Sequence, residues 1–418
     1  MATPALPNHI AEFFAAHSRA QDQPLEEWLE PALRSIREHL CMDVAFISEF
    51  KDGERILTHV DASSPNDQVV AGSSAPLEET YCQMIADGRL PELLPDISVV
   101  SGASDIAEAA KMSIGAHLSV PIRLSDGRVH GTLCCFSHCA DQSLNERDLN
   151  VMRVLADMVA ERISRDMEAK QAQKAMEERI RSVLSDGSMS IVYQPIQSLT
   201  KNRIVGFESL ARFSALPLRG PDVWFDEAAQ VGLGLELELK AIELALQGAC
   251  CLPGDVYLSI NASPDTILTG HLERLVDAWP VNRLMLEVTE HAFVKAYKEM
   301  EIALRPLRAR NLRLAVDDVG SGYANFQHIL NLKPDLIKLD IAITRNIDSD
   351  LSRRALAAAM VGFANETGLE MVAEGVETES ELAALRQLGV RNVQGFLTGK
   401  PMPIASAMEL AQQSFRVA

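Results

Sequence analysis

The chain has 418 residues, enough for two or three domains, and 47% of them are hydrophobic. Its 58 Asp and Glu outnumber its 39 Lys and Arg, for a net charge of -19. With no basic stripe to meet a phosphate backbone, that balance argues against polymeric nucleic acid as a partner, yet it allows a small phosphate ligand whose charge metal ions cancel. No apolar run reaches the ~20 residues that span a bilayer. The N-terminus lacks the basic-then-apolar order of a signal peptide, so no membrane association and a cytoplasmic location are expected. Seven cysteines, with adjacent pairs at Cys134-Cys135 and Cys250-Cys251, make no disulfide framework and fit a reducing compartment.

From the N-terminus, the pattern predicts an amphipathic helix over 25–40 and a strand over 44–50. Two further strands, over 116–122 and 131–136, are joined at the turn Ser125-Asp126-Gly127. Cys134, Cys135, His138 and Cys139 suggest zinc at first sight. However, Cys134 and Cys135 lie in a strand-like run with opposite facings, and no second ligand cluster follows, so they read as small buried hydrophobes. The phrases ETYCQMIADGRLPELLPD and IGAHLSVPIRLSDGRVHGTLCCFS resemble a GAF domain, a small antiparallel sheet flanked by helices that serves as a sensor. In some members a cysteine or histidine holds a tetrapyrrole or haem. That singles out Cys82, His117 and His138, although packing is the expected role of each and the GAF ligand is unknown.

A continuous helical pattern covers 145–184, with a patchy apolar stripe from Val151 to Val183. It is expected to be a connecting helix that pairs with its twin in a homodimer. The domains are accordingly set at 1–165 for the sensor, 145–184 for the connecting helix and 185–418 for the remainder.

Beyond Gly187, short apolar runs alternate with helical patterns. The runs fall at 191–193, 204–207, 256–260, 284–288, 312–316, 336–339, 371–373 and 393–396. Eight such runs alternating with helices predict a (β/α)₈ TIM-like barrel, so the whole is an α/β protein with an α+β domain in front. In such a barrel the chemistry collects at the C-terminal ends of the strands. Those positions here carry Glu208, Asn261, Glu287, Asp317-Asp318, Lys338, Glu374 and Gln394. Neighbouring aspartates point to opposite faces of a regular strand, so Asp317 and Asp318 converge only where the backbone turns. Close carboxylates repel unless a cation neutralises them, and oxygen donors of this kind select Mg²⁺ or Mn²⁺ over zinc. Asp317 can bridge two such ions, an arrangement suited to displacement at phosphorus.

Glu208-Ser209-Leu210 stands where EAL-domain proteins carry their naming tripeptide. Around it lie YQPI at 193–196, Arg212, NASPDTI, EVTEHAF, DDVGSGYANF, KPDLIKLD, VAEGVET and VQGFLTGKPMP. The resemblance runs over 180–418. The family consists of cyclic di-GMP phosphodiesterases that open the cyclic dinucleotide to linear pGpG. The resemblance implies that Glu208, Asn261, Glu287 and Asp317 hold a first divalent cation, and that Asp317, Asp318 and Glu374 serve a second. Lys338 would orient the attacking water and Glu374 would act as general base. Gln194, Arg212, Gln394 and the segment 225–232 would contact the substrate. Gln394 and Glu377 would order waters or ligands behind the site, and Glu290 would steady the loop over 319–325. Three departures from the family pattern stand out: Ser209 for alanine, Val319 for phenylalanine, and Ala324-Asn325 for a Ser-Ser pair. No metal or catalytic position is lost, so hydrolysis is favoured over the alternative of an inactive cyclic di-GMP receptor. No cyclase signature of the GGDEF type is present.

Overall fold

The computed structural model describes residues 25–64, 69–103, 106–277, 279–288, 297–320 and 324–416. The chain divides between Ala172 and Gln173 into two compact units. In the first, β1 (Val44–Lys51), β2 (Glu54–Ala62), β3 (Ser74–Pro76), β4 (Leu93–Leu94), β5 (Ala116–Arg123) and β6 (Val129–Ser137) form one sheet in the order β3-β2-β1-β6-β5-β4. Every pairing in it is antiparallel.

Both faces of this sheet are covered, which explains the unbroken apolar run in β6. Leu133 and Cys135 face a core built with Trp28, Leu29, Ala32, Leu33 and Ile36 of the helix Leu25–His39. Cys134 and Phe136 face the other core, with Tyr81, Cys82 and Ile85. The opposite facings expected of the two adjacent cysteines are therefore observed. The long helix Glu146–Asp186 supplies Val151, Leu155, Val159 and Ile163 to the first unit and Ile180 and Val183 to a core of the second. Among the described residues, no helix is long and apolar enough to cross a membrane.

The second unit is a closed barrel of β7 (Met189–Ser198), β8 (Arg203–Phe213), β9 (Tyr257–Ala262), β10 (Leu284–Val288), β11 (Arg313–Val319), β12 (Leu336–Leu339), β13 (Glu370–Ala373) and β14 (Asn392–Gln394). The barrel expected from the sequence is there, with one departure. β7 is antiparallel to both β8 and β14, and a short turn, not a helix, joins it to β8. Two strands linked so tightly must run in opposite directions, because a parallel return needs a crossover of a dozen residues or more.

Alternation along the strands explains how the interior is filled. Met285, Ala315, Leu336 and Val372 form an apolar layer inside the barrel. Two residues further along stand Glu287, Asp317, Lys338 and, just past the end of β13, Glu374, so a period of two stacks a charged layer directly on the apolar one. The intervening Leu286, Val316, Ile337 and Ala373 join the cores outside the barrel.

Candidate active site

Asp317 and Asp318 converge through a bulge. On β11, Val316 lies opposite Ile337 and Val319 opposite Leu339, so the two aspartates together oppose Lys338 alone. Asp318 takes φ 51°, a left-handed conformation that aspartate tolerates better than most residues, and its N–H donates to Asp317 Oδ1 at 2.9 Å. The backbone does turn as the sequence requires, but within the strand and not beyond its end. Glu208 likewise sits mid-strand, with Gln194 directly opposite on β7.

Lys338 is the centre of the pocket. Its side chain is 2% exposed, and Nζ lies 2.6 Å from Glu374 Oε1, 2.8 Å from Glu287 Oε2, 3.1 Å from Asp317 Oδ1 and 3.4 Å from Glu208 Oε2. One ammonium thus faces four carboxylates, of which Glu208 and Glu287 are buried and Asp317 and Glu374 are 17% exposed, and Asp318 adds a fifth negative group. The excess of negative charge shows in the acidities. Glu287 is pushed up to about 8 by burial and by the charges of Glu208 and Asp317, against the opposing pull of Lys338. Glu374 is raised well above the carboxylate range by burial, with Asp317 and Glu208 adding to it against Lys338. Asp318 rises to about 7 through burial, Asp317 and Asp340. Lys338 itself is driven up by its four acidic neighbours in spite of burial. Carboxylates held this close need further positive charge to ionise together.

The donors fit divalent cations. Carboxylate oxygens of Glu208, Glu287 and Asp317 lie within 4.8 Å of one another, and so do those of Asp317, Asp318 and Glu374. Asp317 belongs to both trios, and every donor is oxygen, the chemistry Mg²⁺ and Mn²⁺ prefer. Asn261 stands beside the first group, its Nδ2 donating to Glu208 Oε1 at 3.4 Å. Gln394 Nε2 donates to Glu208 Oε2 at 2.5 Å and to Gln194 Oε1 at 3.3 Å, which brings both glutamines to the pocket wall.

Arg212 is exposed near the end of β8, its guanidinium on the Ala211 carbonyl. The segment 225–232 overlaps the helix Pro221–Gln230, whose buried Trp224 stacks on Phe213 of β8, while Glu227 pairs with Arg219 and Arg179. Glu377 pairs with Arg345. Glu290 and Ser321 to Tyr323 of the glycine-bearing loop lie outside the described residues.

Three contributors escaped the sequence reading. Ser259 donates to Glu287 from inside β9, and Thr344 donates to the Glu374 carbonyl. Asp340 is buried beside Asp318 and caps the helix Ile341–Thr344 by accepting from Ala342 N at 2.6 Å. It stands one residue beyond the end of β12, two residues after Lys338.

By family, an EAL domain is matched over residues 177–401 and a GAF domain over 24–163. An uncharacterized signaling protein of Caulobacter vibrioides is 27% identical over 332 residues, covering 76% of this chain and 38% of that protein. The probable cyclic di-GMP phosphodiesterase PdeA of Escherichia coli is 31% identical over 238 residues, 54% of this chain and 32% of its own length. The chain thus spans between about a third and two-fifths of these relatives. Among solved structures, the PaMucR phosphodiesterase in its c-di-GMP complex matches 56% of this chain and 99% of its own, at 25% identity and a TM-score of 0.50. An EAL enzyme bound to cAMP and cyclic di-GMP shares the fold over 88% of this chain and 93% of its own, at 20% identity and a TM-score of 0.55.

Proposed function

The chain belongs to the EAL family and carries a GAF domain before its barrel, and on that premise we propose that the barrel hydrolyses cyclic di-GMP to linear pGpG with the help of two divalent cations. The observation that carries this reading is the pair of carboxylate trios sharing Asp317 around a buried lysine. Relatives named as cyclic di-GMP phosphodiesterases and a similar structure solved with c-di-GMP support the choice of substrate.

In the proposed mechanism Glu208, Asn261, Glu287 and Asp317 would hold one cation, and Asp317, Asp318 and Glu374 would hold the other. Bound there, Mg²⁺ or Mn²⁺ would supply Lewis-acid polarisation of the phosphate and acidify water. Lys338, fixed by its carboxylate neighbours, orients the attacking water, and Glu374 takes its proton. The water oxygen adds to phosphorus, the ribose 3′ oxygen leaves with a proton, and one ring-closing diester becomes a 5′ phosphate. Gln194 and Gln394, hydrogen-bonded to each other beside Glu208, position the substrate, with Arg212 at the rim. The ring is opened once.

The N-terminal unit is proposed to regulate this activity, the protein to act as a homodimer, and the cytoplasm to be its setting, consistent with seven free cysteines. Incubation of the purified chain with cyclic di-GMP and Mg²⁺ or Mn²⁺ should yield pGpG, and a chelator should stop it. Binding of cyclic di-GMP without cleavage at any metal level would replace the enzyme with the second reading, a receptor for the nucleotide.

A further inference from the structure

The N-terminal unit buries a second reactive group, far from the barrel chemistry in sequence. Cys82, in the helix Tyr81–Ala86, and Cys134, on β6, are both fully buried, and their sulfurs lie 3.6 Å apart. Cys134 Sγ also lies 3.1 Å from Ser119 Oγ and 3.1 Å from Thr132 Oγ1. The Arg55 guanidinium, 2% exposed, sits beside the Cys82 thiol and is ion-paired with Glu108. A cysteine that only fills space keeps apolar company. Cys135 does so on the opposite face of β6, where its sulfur meets Met152 Sδ at 3.8 Å and burial pushes the thiol up. Cys82 behaves differently. Burial opposes its ionisation, but the Cys134 hydrogen bond and the Arg55 charge hold it below the ordinary thiol value, whereas burial and Cys82 itself push Cys134 up. One sulfur is disposed to be the nucleophile and the other to remain a thiol.

We propose that Cys82 and Cys134 form an oxidation site at which a hydroperoxide closes an intrachain disulfide. The Cys82 sulfur attacks one peroxide oxygen and the O–O bond breaks. Cys82 becomes a sulfenic acid and the peroxide becomes an alcohol, or water in the case of hydrogen peroxide. The Cys134 sulfur then displaces the hydroxyl of that sulfenic acid, which leaves as water with the Cys134 proton. In total, two thiols give up two electrons and two protons, and the hydroperoxide is reduced to an alcohol and water. The sulfurs must close by about 1.5 Å to reach bonding distance, which the short helix Tyr81–Ala86 can supply by shifting towards β6. Because the pair is buried, the reaction waits on local opening and selects a small oxidant. In a reducing compartment such a disulfide is a transient mark, reversed by thiols. The site is independent of the phosphodiesterase reading.

The test is peptide mapping of the full-length chain after brief exposure, while folded, to equimolar hydrogen peroxide, followed by alkylation and digestion without reductant. The expected result is a cross-linked peptide joining Cys82 to Cys134, absent after dithiothreitol, with Cys135 still alkylated as a free thiol. In Cys134→Ser, a sulfenic-acid trap should label Cys82 in place of the cross-link. The proposal is overturned if oxidation is confined to the exposed Cys41, Cys139, Cys250 and Cys251, or if the Cys82–Cys134 link forms only after denaturation. The wild-type measurement decides the matter even if a variant fails to fold.

Discussion

Lys338 Nζ lies 2.6 Å from Glu374 Oε1, where Lys338 belongs to β12 and Glu374 directly follows the adjacent parallel strand β13, each two residues beyond an inward apolar residue, Leu336 or Val372. The lysine is therefore held by the barrel and not by a flexible loop. Replacing it with methionine keeps the volume but removes the ammonium. Turnover of cyclic di-GMP should fall by about 10²–10³, the usual loss when one preorganised electrostatic group is deleted. Affinity for Mn²⁺ should hold or increase, since five carboxylates lose a competing positive charge. A loss of Mn²⁺ binding by calorimetry in Lys338→Met would contradict the role assigned to this residue.

Asp317 is shared by both carboxylate trios, whereas Glu374 belongs to one. Asp317→Asn should weaken both cation positions, and Glu374→Gln only one. Calorimetric titration with Mn²⁺ should then show two sites in the wild type, one near-normal site in Glu374→Gln and two weakened sites in Asp317→Asn. Both variants should lose turnover. Equal binding defects in the two would argue against a bridging Asp317.

His117 is 1% exposed, and burial with the nearby Arg55 charge lowers its pKa from 6.5 to about 3. In the unfolded chain the same imidazole titrates near 6.5, so between about 6.5 and 3 the unfolded state binds the extra proton. Stability therefore falls as pH falls through that window, by about 1.4 kcal/mol per pH unit for this group alone. Denaturant titrations of the full chain, followed by a probe in the N-terminal unit, should show this loss. His117→Gln should flatten it.

Glu227 accepts from Arg219 at 2.9 Å and from Arg179 at 3.4 Å, and the Arg219 guanidinium lies 4.7 Å from the centre of the Trp224 ring. Glu227→Ala leaves two guanidinium groups without their carboxylate and should cost about 1.5–3 kcal/mol, as for hydrogen bonds to charged groups. The melting temperature of the barrel unit should drop. Because the helix carrying Glu227 packs through Trp224 on the end of β8, the KM for cyclic di-GMP should rise more than kcat falls. An unchanged KM would detach the segment 225–232 from substrate binding.

Much of this was legible in the order of residue types. A period of two marks the strands, and the polar residue two places beyond each inward apolar one marks the mouth. Glu287, Asp317, Lys338 and Glu374 could be found that way because alternation is a local property of extended chain. The opposite facings of Cys134 and Cys135 follow from the same rule. Local pattern also announced the long helix.

Other features depend on what packs against what. The reversal of β7 comes from the tight turn to β8, and a strand of either direction has the same periodicity. The bulge that brings Asp317 and Asp318 to one side exists only relative to the neighbouring β12. Asp340 beside Asp318, the pairing of Glu377 with Arg345, and the approach of Cys82 to Cys134 across 52 residues are long-range contacts that no local spacing encodes. Sequence alone determined which polar side chains stand at the ends of the strands, because strand geometry is written two residues at a time. Tertiary structure decided which of them meet, because charge and reactivity depend on distances that only the closed barrel and the packed sheet set.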